Sequence, residues 1–250
     1  MKLTLLGGGG FRVPLMFRTL LADQSDRRVT ELRLWDTDAG RLAVIRSILQ
    51  AMAQGHPKAP KVEVSQNLDE AVTGTDFVFS AIRVGGTEGR ATEETIAHCC
   101  EVLGQETTGF GGLNYALRGI PTAIRIAETI ARLAPGAHLI NFTNPAGIIT
   151  EVSSRILGDR VIGICDSPVG LARRVLETLE GAGLVTAGTA SLVIAGDDRV
   201  RLDYAGLNHL GWLQRLLVDG DDVLPLLLER PDLIESFEEG RLFGAGWLRQ

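Results

Sequence analysis

Cysteines, excess basic charge and long apolar runs are all scarce in this sequence. Three cysteines are too few, and odd in number, for a disulfide scaffold, and we expect adjacent Cys99 and Cys100 to be small buried apolar side chains. The 25 Lys and Arg are outnumbered by 31 Asp and Glu, and this formal net charge of −6 argues against nucleic acid as a partner. No apolar run approaches the roughly 20 residues of a membrane span, and the segment before the first glycines is too short for a signal peptide. We therefore expect a cytoplasmic protein with no membrane partner.

Short β-rich runs alternate with longer helical patterns over the first 180 or so residues. The predicted strands are Lys2–Leu6, Glu31–Trp35, Lys61–Val64, Asp76–Ser80, His138–Asn141 and Arg160–Ile164. The predicted helices are Val13–Ala22, Ala39–Gln54, Glu88–Leu103, Tyr115–Leu133, Ala146–Leu157 and Val169–Leu179. Several strands are nearly all apolar, as in a parallel sheet covered on both faces. The alternation predicts an α/β fold with a doubly wound, Rossmann-type parallel sheet.

The pattern changes near residue 185. Ala190–Ala195 and Val200–Ala205 flank the polar residues 196–199, which predicts an antiparallel hairpin. An apolar stretch over Trp212–Val218 and a helical run over Val223–Leu228 follow. We therefore predict a first domain over residues 1–184 and the start of a mixed α+β domain over residues 185–250. The helical pattern over 243–250 has no stop signal, so we expect this second domain to be incomplete.

Four consecutive glycines connect the first predicted strand to the first predicted helix: Gly7, Gly8, Gly9 and Gly10. Glycine allows backbone N–H groups to approach a pyrophosphate at a helix N-terminus. The third glycine of the dinucleotide fingerprint is missing, since Arg12 or Val13 stands there, and four glycines could form only a flexible turn. Asp36, at the end of the second strand, favours a dinucleotide site. Its carboxylate can accept hydrogen bonds from both ribose hydroxyls of NAD and would repel the 2′-phosphate of NADP, so we expect NAD.

Six motifs then occur in one order along the chain. They are LGGGGF from Leu6 with Pro14, IRVGG from Ile82 with Arg90, GQETTG from Gly104, NFTNP from Asn141, CDSP from Cys165 and NHLGW from Asn208. Together they resemble glycoside hydrolase family 4, and most closely its 6-phosphoglucosidases. Asn-Pro after a strand is also found in lactate and malate dehydrogenases, so one motif would be weak, whereas six in order are specific.

The resemblance implies hydrolysis of a phosphorylated disaccharide or glucoside by redox-assisted elimination, unlike two-carboxylate glycosidases. NAD⁺ oxidises the sugar at C3, a base removes the C2 proton, the glycosidic oxygen leaves, water adds, and NADH restores C3. A divalent metal, usually Mn²⁺, chelates the C2 and C3 oxygens. The resemblance also implies a homo-oligomer in the full-length form.

The residues that match the family's metal and acid positions are Cys165, His209, Asp166 and Glu106. A thiolate and an imidazole suit a Mn- or Fe-like ion when substrate oxygens complete its shell, although Cys165 alone would be taken for a buried strand-end residue. Asp166 matches the acid that protonates the leaving oxygen, with a helix N-cap as the alternative. Glu106 matches the acid that raises the basicity of the catalytic tyrosine, with a surface carboxylate as the alternative.

The resemblance also implies binding residues. Asn144 would bond sugar hydroxyls and orient the nicotinamide, or would be only a turn residue before a helix. Arg90 matches a substrate-contacting arginine, and a solvated helix arginine is the alternative. Arg83 is expected to line the same cleft on the cofactor side, and Phe11 belongs with the glycine loop in the cofactor site.

Three departures from the family pattern limit these implications. The family's base is a tyrosine that would follow Gln250, and neither Tyr115 nor Tyr204 occupies that place, so we expect either a fragment or a naturally shortened, inactive relative. A chain of these residues is expected to bind NAD with little or no turnover. Gly10 replaces a common serine. Asp166 is typical of α-cleaving relatives although the N-terminal half favours β, so the anomer stays open with a slight preference for β.

Two other functions remain open from the sequence. An NAD-dependent 2-hydroxy acid dehydrogenase would share the glycine loop, Asp36 and the Asn144-Pro145 pair, but would need a catalytic Asp–His arrangement that is not evident. A non-catalytic NAD-binding relative would have no need for both Cys165 and His209.

Overall fold

A computed structural model describes residues 1–237, which form two compact units. The N-terminal unit comprises Met1–Ile164, and the C-terminal unit begins at Cys165. The domain boundary predicted after residue 184 falls inside the C-terminal unit. Compactness is no test of which residues bind a cofactor, so the predicted division at 184 stays a prediction. The predicted helical pattern over 243–250 lies outside the described residues.

A six-stranded parallel sheet forms the centre of the N-terminal unit. Its strands are β1 (Lys2–Leu6), β2 (Glu31–Trp35), β3 (Lys61–Ser65), β4 (Phe77–Ser80), β5 (His138–Asn141) and β6 (Val161–Gly163). Their order is β3-β2-β1-β4-β5-β6, and all five pairings are parallel. The strand order reverses between β1 and β4, the crevice at which doubly wound sheets bind dinucleotides. The predicted fold class is confirmed.

Helices cover both faces of this sheet. Successive side chains on a strand point to opposite faces, and here both sets are apolar. Leu5 packs with helices on one face and Leu6 with those on the other. The helices are α1 (Val13–Ala22), α2 (Ala39–Ala53), α3 (Leu68–Val72), α4 (Gly86–Cys99), α5 (Gly109–Leu133) and α6 (Ala146–Leu157), with a 3-10 turn over Gly158–Arg160. Buried Phe17 and Leu49 belong to the α1–α2 layer, and Ile130 belongs to the α5 layer. Two apolar layers explain why the strands are nearly all apolar.

The two adjacent cysteines stand at the end of α4. Cys99 is its last residue, Cys100 is its C-cap, and Glu101 then turns the chain with φ +57°. Both cysteines are exposed, so the prediction that they are buried is wrong. The buried positions of α4 are Glu93 and Ala97. No helix among residues 1–237 has the length and apolar character required to cross a bilayer.

The C-terminal unit combines helices with a small antiparallel sheet. Its elements are α7 (Ser167–Gly181), α8 (Thr189–Ala195), β7 (Val200–Leu207), β8 (Leu210–Val218), β9 (Asp221–Asp222), α9 (Leu224–Leu228) and α10 (Pro231–Ile234). The sheet order is β7-β8-β9, with Val200 opposite Val218 and Leu207 opposite Leu210. Its core includes Leu176, Val193 and Leu216.

The predicted hairpin of Ala190–Ala195 with Val200–Ala205 is wrong. The first segment is helix α8, and the second belongs to β7, whose partner is β8. Gly188 and Gly196, with φ +93° and +66°, bound α8 in left-handed conformations that favour glycine. Ala190 and Val193, three residues apart, both pack into the core beside α7, which is the helical rather than the strand period.

Candidate cofactor and metal sites

The glycine loop between β1 and α1 is pressed against the end of β2. The N–H groups of Gly7 and Gly8 both donate to the Trp35 carbonyl, at 2.9 and 2.8 Å, and Gly7 has φ +89°. A Cβ on Gly8 would lie 2.6 Å from the Cβ of Leu34. Glycine is therefore required here by close backbone approach. Arg12, where the fingerprint would have its third glycine, has φ −80° and ψ −14°, a conformation open to any residue.

Asp36 lies beside this loop. Its Oδ2 accepts a hydrogen bond from the N–H of Gly9 at 2.9 Å, and its Oδ1 accepts one from Asp38 N–H at 3.1 Å. Each carboxylate oxygen keeps acceptor capacity for a ribose hydroxyl. Phe11 is 80% exposed at the other end of the loop. The structure thus brings the predicted glycines and Asp36 together in one cradle at the ends of β1 and β2.

Two arginines, Arg83 and Arg90, form ion pairs with the same carboxylate, that of Glu106. Arg83, which follows β4, forms an ion pair with Glu106, and Arg90 Nη1 lies 3.2 Å from Glu106 Oε2. Arg90 also donates from Nε to Glu94 Oε1 at 2.6 Å. The Glu106 side chain is only 16% exposed. Arg83, Arg90 and Glu106 therefore form one cluster, and Glu106 has the character of a buried anchor.

The loop after β5 carries Asn144 and is held by buried polar groups. Asn141 is fully buried, and its side-chain amide both accepts from Thr143 N–H at 3.1 Å and donates to the Thr143 carbonyl at 3.1 Å. Thr143 Oγ1 accepts from the N–H of Ile82 at 3.1 Å and bonds Ser80 Oγ at 3.0 Å. The Asn144–Pro145 peptide is cis. This network ties the Asn144 loop to the end of β4.

Asn141 and Thr143 belong to the NFTNP motif, but no role was predicted for either residue from the sequence. The available signal was a polar residue at the end of an apolar strand, because a buried amide needs hydrogen-bond partners.

The two predicted metal ligands meet within the C-terminal unit. Cys165 Sγ lies 3.2 Å from Nε2 of His209, although 44 residues separate them in sequence. Cys165 lies two residues before the start of α7, and His209 occupies the turn between β7 and β8 with φ +59°. The thiol also accepts from Ser167 N–H at 3.5 Å and lies 3.3 Å from Ser167 Oγ.

This donor pair fits a metal ion. For zinc, bond lengths of about 2.3 Å to sulfur and about 2.0–2.1 Å to nitrogen place the two donors roughly 3.1–3.6 Å apart at angles of about 90–110°. The observed separation lies within that range. In the described part of the chain no cluster of three His, Cys, Asp or Glu surrounds such an ion.

Asp166 occupies the N-cap position of α7, as the alternative reading of this residue expected. Its side chain accepts no capping hydrogen bond from the helix, and Pro168 in the first turn has no N–H to donate one. A role for the Asp166 carboxylate as an acid stays a prediction, as do the roles of Glu106 and Asn144.

Tyr115 is unsuited to act as the base in this chemistry. It is 2% exposed, and burial raises the pKa of its phenol above the ordinary 10.0. The guanidinium carbons of Arg83 and Arg118 lie 5.2 and 5.5 Å from its ring centre. Tyr115 is therefore a neutral packing residue beneath two cations.

A Rossmann-type sheet with an acidic residue beside its glycine loop places the N-terminal unit in the class of dinucleotide-binding folds. Residues 2–181 match the sequence model described as Family 4 glycosyl hydrolase. The chain belongs to this family.

Relatives with assigned activities support the same grouping. Maltose-6′-phosphate glucosidase MalH of Clostridium acetobutylicum is 32% identical over 232 residues, which is 91% of this chain and 49% of that protein. The 6-phospho-beta-glucosidase BglT of Thermotoga maritima is 30% identical over 230 residues, covering 92% and 51%. The chain thus spans about half the length of the curated relatives it matches.

Solved structures agree with the family assignment. A 6-phospho-alpha-glucosidase from gut microorganisms, in complex with NAD and Mn²⁺, has a TM-score of 0.79 and 27% identity over 94% of this chain and 50% of its own. The malate dehydrogenase of Plasmodium falciparum has a TM-score of 0.61 but only 14% identity over the whole of this chain and 70% of its own, so that likeness shows the fold alone. These comparisons favour the hydrolase over the dehydrogenase.

Proposed function

We propose that this family member hydrolyses 6-phospho-glucosides, with the β anomer slightly favoured over α, and that NAD and a divalent metal, Mn²⁺, assist it. The relatives named above carry 6-phospho-glucosidase activities of both anomeric types, which supports the substrate class. The observation that carries the proposal is the 3.2 Å approach of Cys165 Sγ to His209 Nε2. A hydroxy acid dehydrogenase has no need for this soft donor pair.

NAD binding is proposed for the cradle at the ends of β1 and β2. The glycine loop leads into the N-terminus of α1, where a pyrophosphate would be stabilised by the helix dipole. Asp36 is held on Gly9 and would accept the ribose hydroxyls. When bound, the nicotinamide would supply the acceptor and donor of the C3 hydride.

Metal binding is proposed for Cys165 and His209. The cysteine would act as thiolate and the histidine as neutral imidazole, and the contacts of Ser167 orient the sulfur. When bound, a divalent ion would supply Lewis acidity to the sugar oxygens at C2 and C3. Because the thiol must stay reduced, we propose that the protein is cytoplasmic. A homo-oligomer is proposed for the full-length form.

The remaining polar residues would hold the phosphorylated sugar. Arg90 and Arg83 present guanidinium groups that suit phosphate or hydroxyl oxygens, and Glu106 fixes both of them. Asn144, on its anchored loop, would bond sugar hydroxyls. Asp166 would donate a proton to the departing glycosidic oxygen.

The metal site is tested by titrating the purified chain with Mn²⁺ in the presence of NAD⁺ and glucose 6-phosphate, and following free Mn²⁺ by electron paramagnetic resonance. We expect one bound ion per chain, and at least a tenfold weaker affinity after Cys165→Ser or His209→Ala. Cys99→Ser is the matched control, because it changes an exposed thiol in the other unit. NAD⁺ affinity, measured by calorimetry without metal, should be unchanged in all three variants. Equal Mn²⁺ affinities for Cys165→Ser and Cys99→Ser would contradict the proposal.

A further inference from the structure

A second ion pair lies behind the arginine cluster of the sugar site. Arg118, on α5, approaches Glu93 of α4 with Nη2 and Oε1 2.9 Å apart. The Glu93 side chain is 11% exposed and that of Arg118 is 27% exposed. This pair belongs to neither the glycine loop nor the Glu106 contacts, and no role has been given to it above.

The hydrogen bonding of Arg118 is incomplete. Among the described residues, its Nε and Nη2 atoms are buried without a hydrogen-bond partner, so the contact with Glu93 is a close charge pair rather than an aligned hydrogen bond. Replacing a buried ion pair by apolar residues often costs little stability or even increases it. Stability is thus a weak reason for a charged residue at this position, and geometry is the better one.

Tyr115 links Arg118 to Arg83. Both guanidinium groups lie over its ring, with centroid distances of 5.5 Å for Arg118 and 5.2 Å for Arg83. Cation–π contacts of this kind attract a guanidinium to the face of the ring. Arg83 is therefore supported by Tyr115 on one side and paired with Glu106 on the other.

Arg118 also sets the path of the first turn of α4. A Cβ on Gly85 or on Gly89 would overlap its guanidinium group, so the side chain lies directly on the backbone at both positions. Gly85 is the N-cap of α4 with φ +78°. Arg83 precedes this turn by two residues and Arg90 follows Gly89 directly. The guanidinium thus rests on the segment that carries both arginines of the sugar site.

We infer that Arg118, through Glu93, Tyr115 and the backbone of Gly85 and Gly89, is a positioning residue that holds Arg83 and Arg90 in place to receive the phosphorylated sugar. The inference rests on the proposed function for the role of Arg83 and Arg90, but the positioning itself is a property of the N-terminal unit alone. Arg118 need not touch the sugar.

The first test follows the arginines without any ligand. In a ¹H–¹⁵N spectrum of arginine side chains, Nε–H signals of Arg83 and Arg90, assigned from Arg83→Lys and Arg90→Lys, should be dispersed in the unchanged protein. Arg118→Met keeps the length of the stem but removes the charge, and should move both signals toward the position of free arginine. Arg132→Met is the matched control, since Arg132 is on the same helix and forms an exposed ion pair with Asp69 at 2.8 Å. Unmoved Arg83 and Arg90 signals in folded Arg118→Met would overturn the inference.

The second test measures glucose 6-phosphate affinity of the NAD-loaded chain by calorimetry. We expect about a tenfold loss for Arg118→Met, a smaller loss for Arg118→Lys, which keeps the charge, and none for Arg132→Met. NAD⁺ affinity should be the same in all three. If Arg90→Met loses sugar binding while Arg118→Met keeps it, the inference fails and the proposed site stands. If the unchanged chain does not bind the sugar phosphate, the proposed function fails, and the spectrum still decides whether Arg118 positions the two arginines.

Discussion

Replacing Gly8 with alanine would place one methyl group against the second strand of the sheet. The new Cβ would lie 2.6 Å from Leu34 Cβ and 3.0 Å from the Trp35 nitrogen, whereas carbon atoms in contact prefer about 3.5–4.0 Å. Leu34 is 0% exposed and has no space into which to move. The loop must therefore retreat by about 1 Å, which lengthens the hydrogen bonds from Gly7 and Gly8 to the Trp35 carbonyl.

The magnitude follows from two contributions. One excess methyl group in a well-packed site costs about 1–3 kcal/mol, and each weakened backbone hydrogen bond contributes up to about 1 kcal/mol. We expect Gly8→Ala to lower the free energy of unfolding by about 2–4 kcal/mol, measured by urea denaturation and circular dichroism. NAD⁺ affinity should fall as well, since the loop that leads into the N-terminus of α1 would move.

Two other glycines serve as controls for Gly8→Ala. A Cβ on Gly136 has no atom within 4 Å, and its φ is not in the left-handed region, so Gly136→Ala should be neutral or stabilise by about 0.4–1 kcal/mol. Gly10→Ser adds a side chain whose Cβ would approach the Gly7 carbonyl oxygen alone, at 3.0 Å. It should retain NAD⁺ binding. The steric reasoning is refuted if the free energies of unfolding of Gly8→Ala and Gly136→Ala agree within about 0.5 kcal/mol and Gly8→Ala binds NAD⁺ with unchanged affinity.

Asp36→Ala should weaken NAD⁺ at least tenfold and narrow the preference for NAD⁺ over NADP⁺, because the carboxylate that bonds Gly9 would no longer accept ribose hydroxyls or repel a 2′-phosphate. Calorimetry with both nucleotides checks this, and an unchanged preference would contradict it. Tyr115→Phe should behave like the unchanged protein near pH 7, since the phenol makes only a 3.5 Å contact with the Ile82 carbonyl. Burial raises the pKa of Tyr115 above 10.0, so its share of stability is intact below pH 10 and is lost as the pH rises through the folded-state pKa. The midpoint temperature of thermal unfolding, measured from roughly pH 9 to 12, should therefore fall less steeply for Tyr115→Phe than for the unchanged protein. An equal fall in both proteins would argue against a desolvated phenol.

The parallel sheet was predictable because its strands are short apolar runs bounded by glycine and polar residues. β1, β2 and β5 begin and end at the predicted residues. Helix α3 was not predicted, since five residues are too few to show a helical period. In α8 the apolar, β-branched residues Val193 and Ile194 favoured a strand by propensity, and packing beside α7 between two left-handed glycines decided otherwise.

The candidate sites were predictable to different extents. The glycine loop and Asp36 follow from local pattern, because the carboxyl ends of neighbouring parallel strands share one edge. Cys165 and His209 could be paired only through the family resemblance, since a separation of 44 residues carries no signal of contact. The meeting of Arg83 and Arg90 on Glu106 depends on tertiary packing of segments that the sequence does not connect.

The glycine loop and the loop after β5 are fixed by hydrogen bonds within the N-terminal unit, so they do not need a ligand to order them. Gly9 is tied to Asp36, and Thr143 is tied to Asn141 and to the N–H of Ile82. Loops fixed in this way lose little conformational entropy on binding, so less of the binding free energy is spent on ordering them. The same bonds that place Asp36 and Asn144 leave few alternative positions for either residue. A substitution in the buried anchors should therefore weaken ligand binding without touching the ligand, which is the behaviour expected of Asn141 and Thr143 as much as of Arg118.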